Sequence, residues 1–109
     1  MSFIVYKLLF PDGETYVGRT RRLSQRLEEH RQMRGHFTMK VLGKYMITNV
    51  HGWGKIEPRL EYLWYQREKP TLNKICAGGH YFKRDNKRHS EVIKNYEHFE
   101  TKFRITDFA

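Results

Sequence analysis

The chain of 109 residues has one cysteine, Cys76, which excludes a disulfide framework and a cysteine-based zinc site. Long apolar runs are missing too. No stretch approaches the roughly 20 residues needed to span a bilayer, and Met1–Tyr6 lacks the shape of a secretory signal. The expectation is a cytoplasmic protein with no membrane partner. Repeats and low-complexity segments are absent, and this length supports one domain (1–109) with one modest core. Six histidines (His30, His36, His51, His80, His89, His98) are scattered without metal-ligand spacing. Acidic residues are scarce beside basic ones, 12 against 21, leaving a formal charge of +9. On so small a body that favours a polyanionic partner, most often nucleic acid, because neutralising phosphates releases condensed counterions.

The apolar residues that are present are rich in rings: aromatics make up 15% of the chain, enough to build much of its core. Residues 3–10 form an apolar, β-branched and aromatic run that stops at Pro11-Asp12-Gly13, a turn signal, before Thr15-Tyr16-Val17-Gly18 resumes strand character. This predicts an antiparallel hairpin. Leu23, Arg26, Leu27 and His30 then recur at helical spacing, with Thr20 as a possible cap and Gly35 just past the end, predicting a helix over 21–34. A third strand is expected within 40–48. His51-Gly52-Trp53-Gly54 reads as a loop, and a helix over 57–68 as following it, with Pro58 in its first turn and Pro70 beyond its end. A basic segment from His80 leads to a helix expected from Ser90 to Phe103.

Two features of the first helix bear on chemistry. Arg26 and His30 share the stripe of Leu23 and Leu27, and charged or polar groups on an inward stripe are costly unless they find partners or a wet cleft. Snorkelling at the edge of the core is the plain alternative. Arg19, Arg21 and Arg22 crowd the helix start, where the macrodipole disfavours cations; a bound anion gives such a cluster a purpose. A solvated arginine run is the other reading, and it fits at least one of the three. Tyr6 and Tyr16, taken alone, are ordinary strand residues.

Taken together, these residues form a pattern. Ile4-Val5-Tyr6, nine intervening residues and Tyr16-Val17-Gly18 resemble the paired tripeptides of the GIY-YIG nuclease superfamily. Arg26 stands eight residues after the motif glycine, as on that family's arginine-bearing helix, and His30 follows four later. Glu61, with Trp64, Pro70 and Asn73, resembles the family's metal-binding glutamate helix and its later asparagine, twelve residues on. The first tripeptide lacks its glycine, Ile4 standing at the strand position before Val5-Tyr6. The resemblance covers residues 4 to about 75 and implies a small α/β (α+β) fold: a mostly antiparallel three-stranded sheet flanked by helices, with a basic extension over 77–109.

The resemblance also implies a metal-dependent endonuclease acting on nucleic acid, with DNA the expected partner ahead of RNA. Tyr6 is the implied general base, acidified by nearby positive charge; Tyr16 orients the water or phosphate; Arg26 clamps the scissile phosphate. Glu61 holds a single Mg²⁺ or Mn²⁺ largely through that ion's own waters. His30 tunes Tyr6 or passes its proton on, Asn73 positions the site, and Arg19, where several relatives carry lysine, assists. Arg21 and Arg22 are expected at phosphate. Glu57, one helical turn before Glu61, is the rival ligand, though a first-turn carboxylate also suits the helix dipole. Lys83, Arg84, Lys87 and Arg88 either extend the phosphate track or form a solvated run. A homodimer is one route to specificity. An inactive nucleic-acid-binding module and a small basic inhibitor fit the same composition.

Overall fold

The computed structural model describes residues 2–46, 53–72 and 86–105, with side chains left undescribed at 53–55 and 86–90. The run at 3–10 becomes β1 (Ser2–Leu9), and the hairpin partner is β2 (Thr15–Thr20). Between them the turn closes as the sequence signals: Gly13 adopts φ +88, its N–H bonds the Phe10 carbonyl at 2.9 Å, and Asp12 accepts from the Glu14 N–H at 3.0 Å. Helix α1 spans Leu23–Arg34 and strand β3 spans Thr38–Met46. Helices α2 (Trp53–Glu68) and α3 (Asn86–Phe103) complete the described elements.

The sheet is antiparallel throughout, in the order β2-β1-β3. β1 is therefore paired along both edges, and core clusters cover both of its faces, which explains its nearly continuous apolar run in place of an alternating one. On one face Phe3, Val5, Val17, Leu42 and Tyr45 pack with Leu60 of α2, joined by Ile56, Trp64, Phe99 and Phe103. On the other, Tyr6, Leu8 and Phe10 pack with Tyr16, Leu23, Leu27, Phe37 and Leu72. A bulge interrupts the β1–β3 ladder between Val5 and Tyr6: Val5 pairs with Gly43, Tyr6 with Val41, and Leu42 is the extra residue.

Three expectations are corrected at element ends. Thr20 does not cap α1; it closes β2, and its hydroxyl accepts from the Arg22 N–H at 3.0 Å. The cap position falls to Arg22, which makes no side-chain capping bond. Trp53 and Gly54 belong to α2 and not to a loop, so Pro58 sits inside the helix, where its ring forfeits one backbone bond. Packing ahead of the proline offsets that loss, because Ile56 lies against the core.

Two lacings hold helices to the sheet. After α2, Lys69 takes a positive φ of 47, and the following segment binds the start of β2. There the Thr15 N–H donates to Thr71 Oγ1 at 2.8 Å, and the Leu72 N–H to the Thr15 carbonyl at 2.9 Å. At the other end, the chain leaving α3 pairs Arg104 with Tyr45, and the Ile105 N–H bonds the Lys44 carbonyl at 2.7 Å. The described part of the basic extension is thus docked on the sheet and on α2, where Tyr62, Leu63 and Tyr96 share a cluster. Lys83 and Arg84, and the side chains of Lys87 and Arg88, lie outside the described residues.

Candidate active site

Tyr6 pairs directly across the hairpin with Gly18, and its ring lies over that glycine. A Cβ at Gly18 would stand 2.7 Å from the Tyr6 oxygen and 2.8 Å from Tyr16 Cε1, so only glycine lets the two phenols sit where they do. Helix α1 closes the other side. His30, 5% exposed, brings Nε2 to 2.9 Å from the Tyr6 oxygen, and its ring centroid is 4.9 Å from that of Tyr16. The inward stripe of α1 thus delivers the imidazole to the hairpin phenols.

The electrostatics run against one expectation. Burial, with the charge of Tyr16 adding to it, pushes the Tyr6 phenol up to about 12; the Arg26 cation pulls the other way and does not win. Tyr6 is fully enclosed, and the anticipated acidification is absent. Burial also holds His30 below its ordinary value, helped by the Arg26 and Arg34 cations. Around neutral pH the imidazole is accordingly uncharged, and we assign the bond as the Tyr6 O–H donating to Nε2.

Arg26 lies one helical turn before His30 and joins the enclosed phenols to solvent. Its charged form is stabilised first by Glu29, at 2.8 Å, then by hydrogen bonds to Tyr6 and Tyr16. With its side chain 42% exposed, it borders an open groove of about 380 Å³ that Thr20, Arg21, Arg22, Gln25 and Glu29 also line. Arg22 is exposed at the helix start, beside backbone N–H groups that no capping side chain covers.

On the opposite side of β2, the edge strand, α2 presents Glu57 and Glu61. Glu57 is neither a first-turn dipole partner nor an open ligand. Its carboxylate accepts from Arg21 through both oxygens and lies 3.6 Å from Arg19 Nη1. Arg21, expected at phosphate, holds Glu57 with its guanidinium and also lines the groove beside Arg26. Stripping the partners from such a carboxylate would cost about 3–5 kcal/mol, which explains why two arginines crowd a helix start that disfavours them. Glu61 is more open, its side chain 19% exposed, with Oε2 at 3.5 Å from Arg19 Nε. Burial pushes its carboxyl up, while the side chain and backbone N–H of Arg19 pull it down. Among the described residues no three His, Cys, Asp or Glu side chains converge.

Tyr6, Tyr16, Arg26 and His30 therefore form one cluster, and Arg19 and Glu61 form a second, of which the Glu61 charge is felt at Tyr6. Asn73 lies outside the described residues. Sequence reasoning missed Glu29 as the partner of Arg26, although a three-residue helical spacing signals it. It also missed the role of Glu57, because nothing local announces that Arg19 and Arg21 on another element will reach it. No helix among the described residues is long and apolar enough to cross a membrane.

No curated protein and no solved structure matches the chain. The GIY-YIG catalytic domain does, over residues 2–76, which takes in both tyrosines, Arg26, His30 and Glu61. The chain belongs to the GIY-YIG family, whose catalytic domain is of nuclease type and acts on nucleic acid.

Proposed function

We propose that the protein is an endonuclease that hydrolyses phosphodiester bonds, in DNA rather than RNA, using the cluster of Tyr6, Tyr16, Arg26 and His30 together with Glu61 across β2. The observation that carries this reading is the 2.9 Å bond between the Tyr6 oxygen and His30 Nε2, with Arg26 one helical turn away on the same stripe of α1. A phenol at about 12 is a poor base alone at neutral pH. Paired with His30 it need not ionise fully. As the phenol oxygen takes a proton from the attacking water, its own proton passes to Nε2. The hydroxide oxygen then forms a bond to phosphorus, and the P–O bond to the sugar oxygen breaks, its electron pair departing on that oxygen, which takes a proton from solvent.

Arg26 meets the negative charge that grows on the non-bridging oxygens, and this is where a fixed cation gains most. Tyr16, half-buried beside His30, orients the water or the phosphate through its hydroxyl. Arg22 and the free N–H groups at the start of α1 hold a neighbouring phosphate along the groove. Glu61 suits a divalent cation better than Glu57, because Glu57 has both oxygens taken by Arg21. A single hard carboxylate is a fitting anchor for Mg²⁺ or Mn²⁺, which keep most of their waters. When bound there, the cation supplies charge neutralisation for the phosphate.

The test is cleavage of supercoiled plasmid with Mg²⁺, Mn²⁺ or EDTA, by the native protein and by Arg26→Ala and Glu61→Gln. Metal-dependent nicking that both variants lose supports the nuclease. Retarded migration of the plasmid with no cutting under any condition would overturn it in favour of a binding module.

A further inference from the structure

Arg19 is shared. Its Nη1 lies 3.6 Å from Glu57 and its Nε 3.5 Å from Glu61, and the buried Nε completes no hydrogen bond among the described residues. Its distances to both carboxylates exceed that of a close pair, so the guanidinium is suspended between two anions and committed to neither. Glu57, whose side chain is 4% exposed and is anchored by Arg21, competes with Glu61 for that guanidinium.

We propose that Glu57 is a positioning residue: by drawing Arg19 toward itself, it keeps the Glu61 carboxylate open to a divalent cation. The inference rests on Glu61 being the metal-holding group of the proposed nuclease. The charge balance supports it. Two arginines and two carboxylates cancel, and in a poorly solvated pocket that cancellation decides whether a further dication is tolerated. Without the Glu57 charge, nothing competes with Glu61 for Arg19. Arg19 then has a single partner, occupies it fully, and excludes the metal by competition as well as by repulsion. Glu57 touches neither metal nor phosphate in this account. Its effect runs entirely through Arg19.

The experiment is direct Mn²⁺ binding to the full chain, followed by paramagnetic resonance of the free ion, with no substrate present. Glu57→Gln is expected to weaken Mn²⁺ binding by about tenfold or more, the scale that one added charge imposes nearby at intermediate dielectric. Arg19→Gln removes the competitor and tightens binding, and adding it to Glu57→Gln restores affinity toward the native value. A merely structural Glu57 would lower stability without that rescue. Affinity unchanged in Glu57→Gln overturns the proposal, as does loss of binding that Arg19→Gln cannot restore, the mark of a direct ligand. Should Glu57→Gln not fold, Arg19→Gln alone decides: unchanged affinity sinks the idea. Glu61→Gln is the separate control. If it binds Mn²⁺ like the native protein, the metal assignment itself fails, and Glu57 has nothing to keep open.

Discussion

The two faces of the sheet carry the same device and use it differently. On the α1 face, Tyr6 is fully buried over Gly18; on the α2–α3 face, Tyr45 is fully buried, and a Cβ at Gly43 would overlap its phenol. Burial pushes both hydroxyls up to about 12. The partners differ. Tyr45 accepts from Trp64 Nε1 at 2.6 Å and donates to Glu100 at 3.3 Å, and Glu100 is in turn paired with Arg67 and Arg104. Each group there is already matched, and the network ties α3 to the core. Tyr6 instead faces a neutral imidazole that can accept a proton and a half-exposed arginine that leads outward. Burying a tyrosine against glycine therefore says nothing of its role. A partner able to change its protonation state is what separates a reactive phenol from a structural one.

The contrast is broken most readily at the hydroxyls. Tyr6→Phe is expected to lower plasmid cleavage by about 10²–10³-fold, the usual reach of a general base. Tyr45→Phe leaves cleavage by the folded protein intact. Equal losses in the two variants would mean that both phenols merely hold the fold. The glycines come next. Gly18→Ala and Gly43→Ala each force a ring out of place, costing about 1–3 kcal/mol as overpacking does, measured by urea denaturation. Only Gly18→Ala should also depress the activity of the fraction that remains folded.

Acid separates the faces further. The folded-state value of His30 lies below its ordinary 6.5. The unfolded chain therefore takes up this proton first as pH falls. The stability contribution of the neutral imidazole is whole above 6.5 and is lost as pH drops toward the folded value. Urea titrations across this range should show the slope in the native protein and in Tyr45→Phe, and a flatter one in His30→Gln. Cleavage should fall in the same acidic window, because a protonated Nε2 cannot accept from Tyr6. The smallest effect belongs to Tyr45→Phe itself: about 1 kcal/mol of stability, for the hydrogen bonds to Trp64 and Glu100. A larger loss would mark this network as the main lock on α3.

Much of the fold is legible in local chemistry. Pro11-Asp12-Gly13 specifies the hairpin turn, the 3.6-residue period specifies α1 to its last residue, and the expected third strand begins only two residues earlier. The errors fall where distant contacts outweigh local signals. Proline suggested the start of α2, yet packing of Ile56 on the core and the pairing of Glu57 with two arginines hold the helix a turn earlier. Positive charge around Tyr6 suggested an acidic phenol, yet enclosure between Gly18 and His30 outweighs it.

By itself, then, the sequence determined the element order, the nuclease family and the set of side chains available for chemistry, because turn residues, periodicity and motif spacing act over a few positions. Only the tertiary structure decided which arginine serves which carboxylate. Arg21 and Arg19 reach Glu57 across 36 and 38 positions of chain, and burial fixes that pairing by making an unpaired carboxylate too costly. The same enclosure decided the protonation of Tyr6 and His30, since desolvation depends on what the fold places around a group and not on its neighbours in the chain.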